Sequence, residues 1–130
     1  MNVDIIKYNK DGYKPLIDFN NWRVAVINSS VNEKKENLKY IERHMRTDEV
    51  FVLLRGDAYL IHAGSKKNPE KKYKVGKMQE GIFYNVKKAT WHSTIMSKNC
   101  KILIVENRDT SSKNSEYYYL KKDDIKKIKI

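Results

Sequence analysis

A chain of 130 residues that is 40% apolar, with nine Tyr, three Phe and two Trp, is too rich in aromatic and β-branched side chains to stay disordered and long enough to bury a core without disulfides. The net charge of +11 resides almost wholly in Lys, with only five Arg among the 27 basic residues, so it reads as a solvated surface. Nucleic acid is not an expected partner, because phosphate and base recognition favours the planar guanidinium. Residues 1–130 read as one domain. No apolar run approaches the roughly 20 residues a bilayer requires, and the start MNVDIIKYNK lacks a secretory apolar stretch. The expectation is a cytoplasmic protein with no membrane partner. The lone Cys100 offers neither a bridge nor CxxC spacing for zinc, and is expected to be a structural thiol.

Along the chain, short alternating or apolar runs are separated by turn signals, which predicts an all-β sandwich or barrel. Strands are expected at residues 3–8 and 22–28. The polar stretch at 29–37 is expected to be a loop with one helical turn. Further strands are expected at 38–45, 49–55 and 57–63, then at 72–79, 82–86, 91–97 and 101–107. The RGD at 55–57 and GSKKNPEK at 64–71 read as the turn and the polar hairpin loop between neighbouring strands. In the tail, Leu120, Ile125 and Ile128 predict a short C-terminal helix.

Strand phase gathers a set of metal-ligating residue types. A period of two places Leu38, Tyr40, Glu42 and His44 on one face of the third expected strand. The next strand carries Glu49, Phe51 and Leu53 on one side and Val50, Val52 and Leu54 on the other, so both faces are apolar and the strand is buried. A carboxylate at its head is costly unless paired, hydrogen-bonded or coordinated. In WHSTIMS, His92, Thr94 and Met96 share a face, with Trp91, Ser93 and Ile95 opposite. Tyr40, Phe51, Tyr84, Trp91, Thr94 and Met96 are candidates for a pocket wall or for plain core. His62 reads as a surface or satisfied histidine, and Asp48 as a turn residue. Glu106 and Asn107 either end their strand in local hydrogen bonds or face the barrel mouth.

The segment from Glu42 through His44 and Glu49 to Gly56, E-x-H-x4-E-x6-G, resembles the first signature of the cupins. The second signature is similar to the run in which Gly81 is followed at the usual intervals by Lys87, Ala89 and His92. The resemblance implies a double-stranded β-helix, a cupin-like jelly-roll barrel, with Glu42, His44, Glu49 and His92 pointing inward around a divalent metal. The chain departs from the pattern at several places. Glu42 replaces the usual first histidine, Glu36 stands where a glycine opens the motif, Lys87 and Ala89 replace Pro and Gly, and Met96 replaces Asn. With Glu42 included, the ligands are two imidazoles and two carboxylates. Without it they are a two-His, one-carboxylate set suited to Fe or Mn, with Zn, Ni and Cu also open. Glu42 is then a general base. A third outcome is no metal, with Glu42 hydrogen-bonding the histidines or a ligand.

Three functions follow. The first is a metal-dependent enzyme acting on a small polar metabolite, a sugar or an organic acid, with Glu42 as catalytic residue. The second is a non-catalytic cupin that binds or senses such a ligand. The third is a basic nucleic-acid binder. The apolar set Val50, Val52 and Leu54 suits a second sheet or a partner, and a homodimer is expected.

Overall fold

Alternating side chains on short strands build two facing sheets that enclose a barrel. The computed structural model describes residues 2–130. In chain order the strands are β1 (Gly12–Phe19), β2 (Trp22–Ser29), β3 (Tyr40–His44), β4 (Glu49–Arg55), β5 (Ala58–His62), β6 (Lys74–Lys77), β7 (Phe83–Val86), β8 (His92–Met96), β9 (Cys100–Asn107) and β10 (Ser115–Tyr119). A short helix α1 (Lys122–Lys127) follows. One sheet runs β1-β2-β9-β4-β7 and the other β10-β3-β8-β5-β6, with antiparallel pairing throughout both. This is the expected jelly-roll barrel with its C-terminal helix. No helix among the described residues is long and apolar enough to cross a membrane.

Two expectations fail at the ends of the chain. Residues 3–8 form no strand, and Val3, Ile5 and Ile6 are exposed. The edge of β2 is taken instead by β1, which turns back through Asn20 in a left-handed conformation. Pro15 is tolerated there because β1 is an edge strand with a register shift beside it. The segment before β1 is held by side chains, as Asn28 Nδ2 donates to the carbonyls of Tyr8 and Lys10. At the other end, β10 was not anticipated; SEYYY pairs with β3 along its whole length.

Apolar residues form two clusters, one on each side of the second sheet. Between the sheets, Phe51, Leu53, Leu60, Met96, Ile102 and Ile104 fill one end of the barrel. On the outer face of the second sheet, Ile41, Ile61, Trp91 and Ile95 pack beneath Ile125 and Ile128 of the tail. That second cluster explains the phase of β3. Ile41 and Arg43 face the tail side, so Glu42 and His44 must face the barrel. Arg43 lies over the Trp91 ring and pairs with Glu116 at 2.5 Å, which anchors the strand from behind.

Turns set the strand spacing. Gly56 sits at φ +81° with its Cα against Cys100, where an added Cβ would lie 2.7 Å from the Cys100 Cα. Only glycine fits this close approach. Cys100 is fully buried, and burial pushes its thiol up to about 11, in keeping with a structural role. On the outer side of β4, Val52 is buried, Val50 is half-buried and Leu54 is exposed, so the expected apolar face is only partly open.

Candidate metal centre

The open end of the barrel holds a cavity of about 770 Å³ whose floor carries Glu42, His44, Glu49, His92 and Glu106. Strand register puts them there in two facing rows. Across the first sheet, Arg23 of β2 pairs with Glu106 of β9. The Val50–Val105 pair places Glu49 opposite Glu106 one step further along β4. Across the second sheet, Tyr117, Glu42, His92 and His62 follow one another on β10, β3, β8 and β5. All four residues expected from the sequence therefore meet. His62 lies on the inner face beside His92, half-buried and outside the cavity wall.

The geometry centres on Glu49. Its Oε1 lies 2.9 Å from His92 Nε2 and 3.2 Å from His44 Nε2, and Glu42 Oε1 lies 3.5 Å from the same His44 atom. Glu49, His44 and His92 are buried, while Glu42 is half-buried on the mouth side. Within the fold, Glu49 Oε1 is fully buried and has no well-formed hydrogen bond among the described residues.

The far side of each ring settles where its proton lies. His92 Nδ1 is 2.8 Å from the Thr90 carbonyl, which can only accept, so Nδ1 carries the hydrogen. His44 Nδ1 is 2.7 Å from Ser115 Oγ, and Ser115 Oγ donates its own proton to the Ser111 carbonyl at 2.7 Å. The hydroxyl must then accept from His44. Both neutral rings consequently present a lone pair at Nε2 toward a buried carboxylate oxygen. Three lone-pair atoms meeting at 2.9 and 3.2 Å repel one another unless a cation lies among them, either protons or a metal ion. Two orienting acceptors behind two imidazoles are also how metal-bound histidines are held. The donor set of imidazole nitrogen and carboxylate oxygen fits Fe, Mn, Zn or Ni.

Charges answer to this arrangement. Burial pulls the His44 imidazole down, but the carboxylates of Glu42 and Glu49 close beside it outweigh burial and lift its pKa to about 10. Burial pushes Glu49 up, yet the two imidazoles win and hold its carboxyl well below the usual range.

Sequence reading missed the support on the first sheet. Tyr13 Oη and Arg23 Nε and Nη2 all donate to Glu106 Oε2, the two Arg23 bonds being 2.9 and 2.6 Å. Arg23 also donates to the carbonyls of Arg108 and Thr110. Glu106 is thus a cavity residue, and Asn107 serves the strand end, bonding Thr47 and Arg46. The available signal was Arg23 itself, a cation in phase with Ala25 and Ile27 on the inner face of an apolar strand. Among the proposed wall residues, Tyr40, Phe51, Thr94 and Met96 line the cavity. Trp91 faces the tail cluster, and Tyr84 packs with the barrel core. Asp48 is a turn residue, accepting from the Lys88 amide and from Asn85.

The second motif keeps its shape without its usual residues. Ala89 adopts the left-handed conformation, φ +66°, and its amide donates to the His44 carbonyl at 2.8 Å. The turn that leads into His92 is thereby tied to the strand that carries His44.

Comparison with known proteins agrees with this architecture. A family model described as ureidoglycolate lyase matches residues 9–126. No curated protein sequence matches the chain. Among solved structures, a cupin-2 domain protein from Shewanella frigidimarina is 20% identical, with 78% of this chain and 85% of that one covered and a TM-score of 0.56. KdgF from Halomonas sp. is 11% identical over 75% and 79%, TM-score 0.57. The polyketide cyclase RemF from Streptomyces resistomycificus is 14% identical over 88% and 75%, TM-score 0.60. At these identities the likeness is one of fold.

Proposed function

Because this chain belongs to the ureidoglycolate lyase family and has the small cupin fold, we propose that it is an enzyme that acts on a small polar metabolite through a divalent ion held by His44, Glu49 and His92. The observation that carries this reading is the convergence of two Nε2 lone pairs on the buried, unpartnered Glu49 Oε1. When bound, the ion supplies a Lewis acid for a substrate oxygen or an activated water. The protein's own groups do the rest. Ser115 and Thr90 hold the two rings in the tautomer that leaves Nε2 free. Glu42, half-buried toward the mouth, is the fourth ligand or the base that takes a proton from substrate and returns it to product. Tyr40 and Tyr117, packed edge to face at 5.2 Å, form the cavity wall beside it. Lys34 and Lys39 on the cavity lining, together with the bound ion, offset the carboxylates there and favour an acidic substrate over a neutral one. Organic acids come first by this reading, and the family's name makes ureidoglycolate the first compound to assay; sugars come second.

Metal content of protein purified without added metal tests the proposal. Near-stoichiometric metal, or uptake on titration, together with turnover of an acid is the expected result. Substoichiometric metal with no uptake overturns it. Ligand-induced stabilisation without turnover instead favours a binding or sensing cupin.

We also propose a homodimer formed through the outer face of the first sheet. Ile17, Phe19, Trp22, Leu54 and Phe83 are exposed there, an apolar set that a second copy would cover. Light scattering after size exclusion decides the matter, and a monomer at micromolar concentration refutes it.

A further inference from the structure

Glu106 stands beside the proposed ligands and has no part in the motif that identified them. It is buried, as are Glu49 and His44, and one donor atom from each of the three lies within 4.8 Å of the other two. A second trio, Glu42, His44 and His92, meets the same distance limit and shares His44 with the first. The Glu106 carboxyl is held from behind. Tyr13 and both Arg23 nitrogens approach Oε2, so the lone pairs of Oε1 are left for the cavity. Arg23 in turn is fixed by two backbone carbonyls. Two buried carboxylates facing each other across β4 and β9 repel unless a cation, a shared proton or a metal ion, lies between them. Arg23 cannot be that cation, since it lies on the β2 side of Glu106, away from Glu49.

We propose that Glu106 is a further ligand of the bound ion, with Arg23 and Tyr13 as its positioning residues. This rests on the reading that the pocket holds a divalent metal. It makes the site richer in carboxylate than the four motif residues alone, with Glu106 added beside Glu49 and His44. Arg23 and Tyr13 give the carboxylate one orientation and leave it one free oxygen, as supporting residues commonly do for a ligating carboxylate.

The experiment is a titration of the metal-free protein with Mn(II) by calorimetry and with Co(II) by visible absorption. Wild type is compared with Glu106→Gln and with Arg23→Met/Glu106→Leu, which removes both charges and so leaves neither buried without a partner. Each variant is first checked for a cooperative thermal transition. Both are expected to bind about 10-fold to 100-fold more weakly and to change the Co(II) bands, which report the ligand set. Wild-type affinity and spectrum in either folded variant overturns the inference and leaves the metal reading standing. If the wild type itself takes up neither ion, the metal reading falls and this inference falls with it.

Discussion

His44 Nδ1 lies 2.7 Å from Ser115 Oγ, on β10, a strand the sequence pattern did not announce. Because that hydroxyl spends its proton on Ser111, it dictates the tautomer of a ring whose other nitrogen faces Glu49. Ser115→Ala removes the acceptor and lets His44 place its hydrogen at Nε2. Metal affinity is expected to fall about tenfold with the fold intact, as read by competition with a chelator. Undiminished affinity would show that the tautomer is set elsewhere.

Glu49→Gln tests the centre of the site. The variant keeps the size of the side chain and removes the charge that both imidazoles approach. Metal retained after dialysis, measured by elemental analysis, is expected to drop to background. Circular dichroism should remain that of a β protein.

The pH dependence of stability is expected to differ with and without metal, falling with pH for the metal-free fold and staying flat above pH 6.5 for the metal-bound one. With the His44 pKa raised from 6.5 to about 10, protonation of the metal-free fold stabilises it fully below pH 6.5, and that stability is lost as pH rises through 10. Metal requires the unprotonated Nε2, so its affinity rises over the same window and uptake releases a proton. Differential scanning fluorimetry between pH 6.5 and 9 should show the metal-free Tm falling by about 5 °C or more, while the Tm increment from added Mn(II) grows. Parallel pH slopes would count against His44 as the shared proton and metal site.

Ala89→Gly is expected to stabilise the protein. A non-glycine residue in the left-handed region costs about 1 kcal/mol, part of which glycine returns to the unfolded chain as entropy. With φ +66° at Ala89, a net gain of roughly 0.5 kcal/mol in urea unfolding is the expected outcome. By contrast, Gly56→Ala at φ +81° meets the Cys100 backbone and should cost more than about 2 kcal/mol.

Strand alternation and motif spacing were enough to place Glu42, His44, Glu49 and His92 on barrel-facing positions, because a period of two commits every side chain once one face is known to be apolar. The nine expected strands failed only where pairing had to choose between edges. Val3 to Tyr8 alternates as well as many true strands, but β1 occupies the free edge of β2, and nothing local to either segment decides that competition. The second layer of the site was beyond local pattern for the same reason. Tyr13, Arg23, Glu106 and Ser115 are separated from one another by 9 to 102 positions, and they meet at the site only through the sheet registers and the closure of the barrel. So the sequence by itself determined which residue types the cavity floor would carry. Tertiary structure decided which nitrogen of each histidine is free, which carboxylate oxygen has no partner, and that Glu106 belongs beside Glu49.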